Sequence, residues 1–346
     1  MSTRCSVRWK RNRLQLAGSR LSVALDDGGL ELPASGRIAI LAPDADFDLS
    51  ALSQDRLEIV QSFHPDHASY SARGFRCVIE CGTQYAASLV CLPRSKLQSR
   101  ALIAAAEVAT PNGIIIVDGQ KVSGVESILR EIRARVPIAG TISKAHGKLF
   151  WFKVDGCRFS DWAQIGMMAN SDGFSTAPGI FSADAVDPAS ALLATHLPPK
   201  LGRVVADLGA GWGYLSTQIL TRQGVEAVHL VEAEQMALDC SRRNVEDPRA
   251  FFHWADGTKW RPSHAVDTVV MNPPFHVGRR GEPALGQAFI ATAAAILGNA
   301  GHLWMVANRH LPYEIALNSL FVKVEEPFGT SKFKVLHAQR PSRLRR

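Results

Sequence analysis

The sequence has few cysteines, and they are not spaced as zinc ligands usually are. Its six cysteines form no C-x-x-C pair, so we expect reduced, mostly buried thiols and no metal site. No apolar run is long enough to span a bilayer, and the basic N-terminus is not followed by the apolar core of a signal peptide. These absences argue against a membrane protein and a secreted one, and they predict a cytoplasmic protein.

The composition is that of a globular protein with an excess of positive charge. Hydrophobic residues make up 46% and charged residues 21% of the sequence, as in globular proteins. The length of 346 residues is sufficient for two domains, each with its own hydrophobic core. The net charge of +7 and the pI near 9.2 favour a polyanionic partner. Four arginines lie in residues 340–346, which form either a phosphate-binding arm or a solvated chain end.

A glycine-rich turn follows a predicted buried strand at 203–208, and a helix is expected to begin near Tyr214. The turn has the pattern D-x-G-x-G-x-G rather than the G-x-G-x-x-G of dinucleotide sites. Glycines let the backbone approach a ligand closely. A carboxylate before them would repel a pyrophosphate but attract a cofactor with a cationic amino-acid end. The cofactor-binding residues expected in this turn are Asp207, Gly209, Ala210, Gly211 and Gly213.

The next two predicted strands also end in acidic residues. The strand at 227–232 ends in Glu232, placed to accept hydrogen bonds from both hydroxyls of a ribose. The strand at 251–255 is followed by Asp256 and Gly257, where a carboxylate or the adjacent backbone could meet an adenine amino group. Three acids at strand ends together with a glycine turn indicate S-adenosylmethionine as the cofactor.

The most specific motif is a hydrophobic strand at 269–271 that stops on Asn272, Pro273, Pro274 and Phe275. The Asn272 side-chain carbonyl and the Pro273 backbone carbonyl can accept the two hydrogens of a planar amino group, and the prolines stiffen the turn. Phe275 offers a flat face for stacking on a base. We therefore predict these four residues as catalytic for methyl transfer to an amino nitrogen, with Asn272 also in the cofactor site. The alternative is a strand that simply ends in a proline turn.

The front half of the chain reads as a degenerate copy of the back half. Residues 36–41 align with 202–207 at an offset of 166, which predicts domains over 1–163 and 164–346. In the first copy, the glycine turn is replaced by 43–47, which contains no glycine. Neither the cofactor nor the chemistry is therefore expected in the first domain. It is either a platform for a large substrate or a structural partner of the catalytic domain.

Two further segments complete the predicted catalytic domain. Residues 175–182 form a turn, and Asp187 is expected to cap a helix with Pro188 at its first position. Because this segment precedes the first cofactor strand, it could close over the methionine end of the cofactor, and Phe181 joins the predicted cofactor residues. After the proline turn we expect a helix, a fifth strand, a second helix and a terminal hairpin. The sequence thus predicts an α/β protein with two tandem Rossmann-like methyltransferase domains, the C-terminal one a seven-stranded doubly wound sheet.

Three segments resemble a known family. Residues 272–276 with Gly278, residues 177–182 and residues 307–313 together look like the bacterial 16S rRNA guanine-N(2) methyltransferases of the small-subunit methyltransferase C type. These are class I S-adenosylmethionine-dependent enzymes, and the resemblance covers nearly the whole chain, including a degenerate N-terminal copy. The chain departs from the family pattern at Val277, where an acidic or polar residue is more common, and this change concerns the local fit of the substrate.

The resemblance implies methyl transfer from S-adenosylmethionine to the 2-amino group of one guanine in 16S rRNA, with the 30S ribosomal subunit as partner. The residues alone leave other acceptors open, namely a guanine of 23S rRNA, an adenine 6-amino group and the glutamine amide of a release factor. A non-catalytic RNA-binding or assembly factor is a further alternative. The intact residues of the predicted cofactor site argue against it, because a binding module has no use for them.

Overall fold

The structure, a computed structural model, describes residues 19–163, 166–274, 276–277, 280–281 and 283–342, with no side-chain description between 275 and 282. The residues cluster into two compact units. One contains Met1–Val60 and Cys81–Ala163, and the other contains Gln61–Glu80 and Gln164–Arg346. The break after Ala163 lies at the predicted boundary, whereas the insertion of 61–80 into the second unit was not predicted. The functional division between the domains stays a prediction.

The helices and strands follow one another along the chain in an alternating pattern. The helices are α1 Arg20–Asp26, α2 His64–Ala72, α3 Lys96–Ala109, α4 Val125–Arg133, α5 Pro188–His196, α6 Tyr214–Leu220, α7 Gln235–Asn244, α8 Pro283–Ile296 and α9 Tyr313–Leu320. The strands of the first half are β1 Ile38–Leu41, β2 Leu57–Val60, β3 Arg76–Val78, β4 Ala87–Cys91, β5 Ile114–Gln120, β6 Gly140–Lys144 and β7 Gly147–Lys153. Those of the second half are β8 Met168–Ala169, β9 Ser175–Thr176, β10 Val204–Leu208, β11 Ala227–Glu232, β12 Ala250–Trp254, β13 Val266–Met271, β14 His276–Val277, β15 Arg280–Gly281, β16 Leu297–Asn308, β17 Phe321–Gly329 and β18 Phe333–Pro341.

Two seven-stranded sheets have the same strand order. The first is β3-β2-β1-β4-β5-β7-β6 and the second is β12-β11-β10-β13-β16-β18-β17. In the second sheet the first five strands are parallel, and β18 and β17 close it as an antiparallel hairpin. At the predicted offset of 166, β1 falls on the first four residues of β10. The predicted α/β fold with two tandem Rossmann-like domains is confirmed.

The first unit differs from the second at the carboxyl ends of its parallel strands. Between β1 and β2 the described chain forms turns and a short 3₁₀ segment, and no α-helix corresponds to α6 there. Arg20 of α1 forms a bidentate ion pair with Asp118 of β5, with distances of 2.6 and 2.7 Å. Asp118 pairs in register with Cys91, the last residue of β4. A buried ion pair therefore lies at the strand ends in this copy.

The core of the second unit lies on both faces of its sheet. Val269 and Met271 of β13 pack with Phe289 of α8 on one face, whereas Val270 packs with Leu215 of α6 on the other. Such alternation along a strand buried on both faces explains why the last three residues of β13, at 269–271, are all apolar. The parallel strands consequently deliver the residues after their carboxyl ends to one edge of the sheet, where ligands bind in this class of fold.

Among the described residues, no helix has the length and apolar character needed to cross a membrane.

Candidate active site

The glycine turn after β10 has a backbone that only glycine adopts easily. Gly209, Gly211 and Gly213 have φ angles of 78°, 56° and 94°, in the left-handed region that disfavours residues with a Cβ. At Gly213 a Cβ would also lie 2.9 Å from Val245 Cγ2 and 3.2 Å from Ser241 Cβ of α7. The three glycines therefore permit both the shape of the turn and the close packing of α6, which begins at Tyr214.

Glu232, at the end of β11, holds the glycine turn in place. Its Oε2 accepts a hydrogen bond from the Gly211 N–H at 2.8 Å. Its Oε1 accepts from the N–H groups of Ala233 and Glu234 at 2.8 and 2.9 Å. Burial raises the pKa of Glu232 above its ordinary value, and these backbone donors lower it in part. The predicted ribose contact stays a prediction, but the carboxylate has a clear role in supporting the turn.

Asp207 is a fully buried carboxylate, and only one of its two oxygens has a hydrogen-bond partner among the described residues. Its Oδ2 accepts a hydrogen bond from the Ser216 hydroxyl at 2.7 Å. Its Oδ1 is buried and has no hydrogen-bond partner among the described residues. Burial and, to a smaller extent, the nearby charge of Glu232 raise the pKa of Asp207 to about 7, although hydrogen bonding to Ser216 lowers it in part. A cationic group bound beside Asp207 would favour its ionised form, which suits the predicted amino-acid end of a cofactor.

Asn272, which follows β13, has its side-chain amide oriented by two acceptors. Its Nδ2 donates to Asp187 Oδ2 and to Ser190 Oγ, both at 2.9 Å. Its Oδ1 is buried and has no partner among the described residues. Of the residues that follow, Pro273 is buried and Pro274 is exposed. Phe275, the fourth predicted catalytic residue, lies outside the described residues.

A concave site, called here the Asn272 pocket, brings several of these groups together. It is lined by Phe181, Ser182, Asp187, Ser190, Gly209, Ala210, Gly211, Trp212, Tyr214, Leu215 and Asn272. The segment around Phe181 is anchored there, because Trp212 Nε1 donates to the Phe181 carbonyl at 3.1 Å while the Phe181 ring is 58% exposed. Part of the predicted glycine turn, the predicted closing segment and the predicted acceptor Asn272 thus line one site, whereas Asp207, Gly213 and Glu232 are not among the residues that line it.

Sequence reasoning did not assign site roles to Asp187, Ser190 and Trp212. Asp187 was identified only as a helix cap, and it does cap α5, since its Oδ2 accepts from the Ser190 N–H at 2.8 Å. The contact of Asp187 with Asn272 joins residues 85 positions apart. No local pattern reports such a contact. Trp212 lies inside the glycine motif, and its position there was the available signal.

Asp256 and Gly257, after β12, are not among the residues that line the Asn272 pocket. Asp256 Oδ1 accepts from the backbone N–H and the hydroxyl of Thr258 at 2.9 and 2.5 Å. Although burial raises the pKa of Asp256, these bonds and Lys259 lower it overall. A Cβ at Gly257 would lie 2.8 Å from the Phe289 ring. The local structure accounts for both residue types, and their predicted contact with adenine stays a prediction.

Comparisons with known proteins find relatives that cover much of the chain. Residues 172–337 match the family model of the methyltransferase small domain. The ribosomal RNA small subunit methyltransferase C of Shewanella oneidensis is 28% identical over 267 residues, which cover 74% of this chain and 78% of the relative. The protein of the same name from Hahella chejuensis is 32% identical over 166 residues, or 48% of each chain.

A solved structure resembles the whole fold. It is the Thermus thermophilus 16S rRNA N2 G1207 methyltransferase in complex with AdoMet and guanosine, with a TM-score of 0.74 and 23% sequence identity over 90% of each chain. At this identity the likeness establishes the shared fold, including both tandem domains.

Proposed function

We propose that the chain is a member of the small-subunit ribosomal RNA methyltransferase C family and that it transfers a methyl group from S-adenosylmethionine to the 2-amino group of a guanine in 16S rRNA. The relatives from Shewanella and Hahella are named for the small-subunit ribosomal RNA. The assembled 30S subunit in the cytoplasm is the substrate that we propose for this chain. The basic net charge of +7 supports a polyanionic substrate.

The observation that best supports this proposal is the unpaired side-chain oxygen of Asn272 among the described residues. Its nitrogen donates to two fixed acceptors, so its buried Oδ1 is the group left to accept a hydrogen bond from a ligand. An unpaired buried acceptor is costly and is usually explained by a ligand or a catalytic role. The N–H group of a planar amine would be a suitable hydrogen-bond donor to Asn272 Oδ1.

The residues beside Asn272 fit the cofactor. When bound, S-adenosylmethionine supplies an activated methyl group on a cationic sulfonium. The Asp207 oxygen that has no partner among the described residues would hold the amino group of its amino-acid end, the glycine turn would let the backbone approach it closely, and Glu232 would hold its ribose. Phe181, whose ring is exposed at the rim of the Asn272 pocket, would cover the methionine end.

The chain's own contribution to the reaction is orientation. An exocyclic amine on a purine is a poor nucleophile, because its lone pair is delocalised into the ring. If Asn272 Oδ1 and the Pro273 carbonyl each accept one N–H, the nitrogen is drawn toward tetrahedral geometry and its lone pair can face the methyl group. Fixed acceptors of this kind act through positioning and electrostatics. A strong base is not required, because the methylated nitrogen loses its extra proton readily.

The proposal is tested by incubating the protein with methyl-labelled S-adenosylmethionine and, in parallel, 30S subunits, 50S subunits, naked 16S rRNA and release factor. We expect label in the rRNA of the 30S sample, as N2-methylguanine after digestion to nucleosides. Asn272→Ala is expected to abolish transfer while leaving cofactor affinity within a few-fold. Label confined to the 50S subunits or to release factor would overturn the proposed substrate.

A further inference from the structure

We infer that Asp187 and Ser190 are positioning residues that determine which end of the Asn272 amide meets the substrate. The inference rests on the proposed methyl transfer and assigns a role to two residues that lie about 80 positions before the proline turn. Asp187 caps α5, and Ser190 is the third residue of that helix. Both residues line the same pocket as Asn272.

The hydrogen bonds give the amide a single orientation. Asp187 Oδ2 is 2.9 Å from Asn272 Nδ2, and a carboxylate oxygen can only accept. Ser190 Oγ is also 2.9 Å from Nδ2 and accepts the second hydrogen. Rotating the amide by a half-turn would place Oδ1 against the carboxylate and lose the bond to Asp187, and the Ser190 hydroxyl would have to turn and donate to Oδ1 instead of accepting from Nδ2. Such a rotation would also present two N–H groups to an amine that needs an acceptor.

The cap of α5 alone does not explain an aspartate at position 187. Serine, asparagine and threonine also cap helices well, and the capping bond here needs only one acceptor for the Ser190 N–H, at 2.8 Å. The same Oδ2 accepts from Asn272, which a capping role does not require. A charged acceptor makes the stronger of the two bonds that orient the amide.

The first test measures turnover in Ser190→Ala and Asp187→Ser. Ser190→Ala loses a neutral bond, so kcat should fall by about three- to tenfold. Asp187→Ser keeps a capping hydroxyl but removes the charged acceptor, so kcat should fall by about ten- to a hundredfold. Cofactor Kd should change by less than about threefold in both, because neither bond involves the glycine turn. A cofactor Kd that rises in parallel with the loss of kcat would assign both residues a structural role instead.

Matched variants separate positioning from folding. Asp184→Ser makes the same chemical change at an exposed residue of the same segment that is not part of the pocket lining, and it should retain wild-type kcat. Ser190→Thr keeps the hydroxyl and should retain more activity than Ser190→Ala. Melting temperatures of all variants show which of them remain folded.

A charge exchange gives a result that a merely structural role would not produce. Asn272→Asp places a second carboxylate beside Asp187, so turnover should fall strongly through like-charge repulsion. Adding Asp187→Asn returns a donor to the pair, and turnover should recover by about tenfold relative to Asn272→Asp alone. Equal activity of the single and double variants would overturn the positioning role.

The orientation can also be observed without turnover. In ¹⁵N-labelled protein, the side-chain NH₂ signal that disappears in Asn272→Ala belongs to Asn272. We expect its exchange with water to be slow in the wild type and faster in Ser190→Ala. Unchanged exchange together with unchanged kcat would overturn the inference while leaving the proposed function standing. Absence of methyl transfer by the wild type would instead overturn the proposed function.

Discussion

Asp207 is a carboxylate that the fold buries completely, with one oxygen that has no hydrogen-bond partner among the described residues. Its pKa of about 7 lies well above the ordinary value of 3.8, because burial disfavours the charge. In the folded protein without cofactor, Asp207 therefore changes charge close to neutral pH. This has consequences both for stability and for cofactor binding.

The first prediction concerns stability. The folded-state pKa of Asp207 is raised, so its contribution to stability is fully present below about pH 4 and is lost as the pH rises through about 7. Asp207→Asn keeps an oxygen that can accept from Ser216 and removes the buried charge. We expect the melting temperature of Asp207→Asn to exceed that of the wild type at pH 8, with a difference that shrinks toward pH 5. A difference independent of pH would contradict the raised pKa.

The second prediction concerns cofactor affinity. If ionised Asp207 attracts the cationic amino group, cofactor Kd in the wild type should increase as the pH falls below about 7, by about tenfold per pH unit at most. Asp207→Asn should bind the cofactor more weakly at pH 8 and show a flatter pH profile. Calorimetric titration from pH 5.5 to 8.5 measures both effects. A wild-type Kd that does not change with pH would remove Asp207 from the cofactor site.

At the residue scale, sequence reasoning located the chemical groups but not all of their contacts. The site roles of Asp207 and Asn272 could be predicted locally, because each residue lies at or near the end of a recognisable apolar strand. The hydrogen bond of Asp187 to Asn272 could not be predicted in this way, because it spans 85 positions and depends on how α5 packs on β16, the strand next to β13. Glu232 illustrates the same limit, since its bond to the Gly211 N–H could not be predicted without the shape of the turn.

At the scale of elements, the turn between β10 and α6 requires glycine both for its backbone conformation and for its close packing against α7. The third prediction is that Gly213→Ala destabilises the second unit by about 1–3 kcal/mol more than Gly224→Ala. Both glycines have positive φ angles, of 94° and 76°. A Cβ at Gly213 would meet α7, whereas a Cβ at Gly224 would meet nothing within 4 Å. Hydrogen exchange of peptides from β10 and α6 measures the difference, and equal protection in the two variants would contradict it.

Strands and helices of the second unit were largely predictable because each ends on a strong local signal. The predicted strand at 227–232 has the bounds of β11, where an acid follows an apolar run. After the proline turn, only residues 293–297 were predicted to be helical, whereas α8 extends over Pro283–Ile296. Glycine and threonine at positions 286 and 292 weaken the helical pattern of the part that was not predicted. Both positions are buried, so packing rather than propensity determines the length of α8.

At the scale of the whole molecule, the two sheets share one strand order although only one unit carries the predicted site. The shared order could be predicted from the offset between the halves. The ion pair of Arg20 with Asp118 could not, because the two residues are 98 positions apart and no local pattern reports their contact. Arg20 and Asp118 have side-chain exposures of only 10% and 7%.

The fourth prediction follows from this ion pair. Arg20→Met leaves a buried carboxylate without its partner and should destabilise the first unit by about 3–5 kcal/mol. Adding Asp118→Leu should recover most of the loss, because two apolar side chains replace two charges. Hydrogen exchange of β5 and β7 reports the change. Cofactor affinity should stay within about twofold, since the predicted cofactor residues all belong to the second unit, and a large loss of affinity would contradict that assignment.

The Asp207 oxygen that has no partner among the described residues would, if it binds the cofactor, link the lifetime of the protein to its methyl donor. A ligand that binds only the folded state stabilises it by an amount that grows with the logarithm of its concentration relative to Kd. A cation beside Asp207 would add to this effect, because it relieves an unfavourable buried charge. Proteases that cleave opened chains sample the less stable, unliganded form more often. A cell short of S-adenosylmethionine should therefore degrade this protein faster, so that its abundance follows the supply of the cofactor.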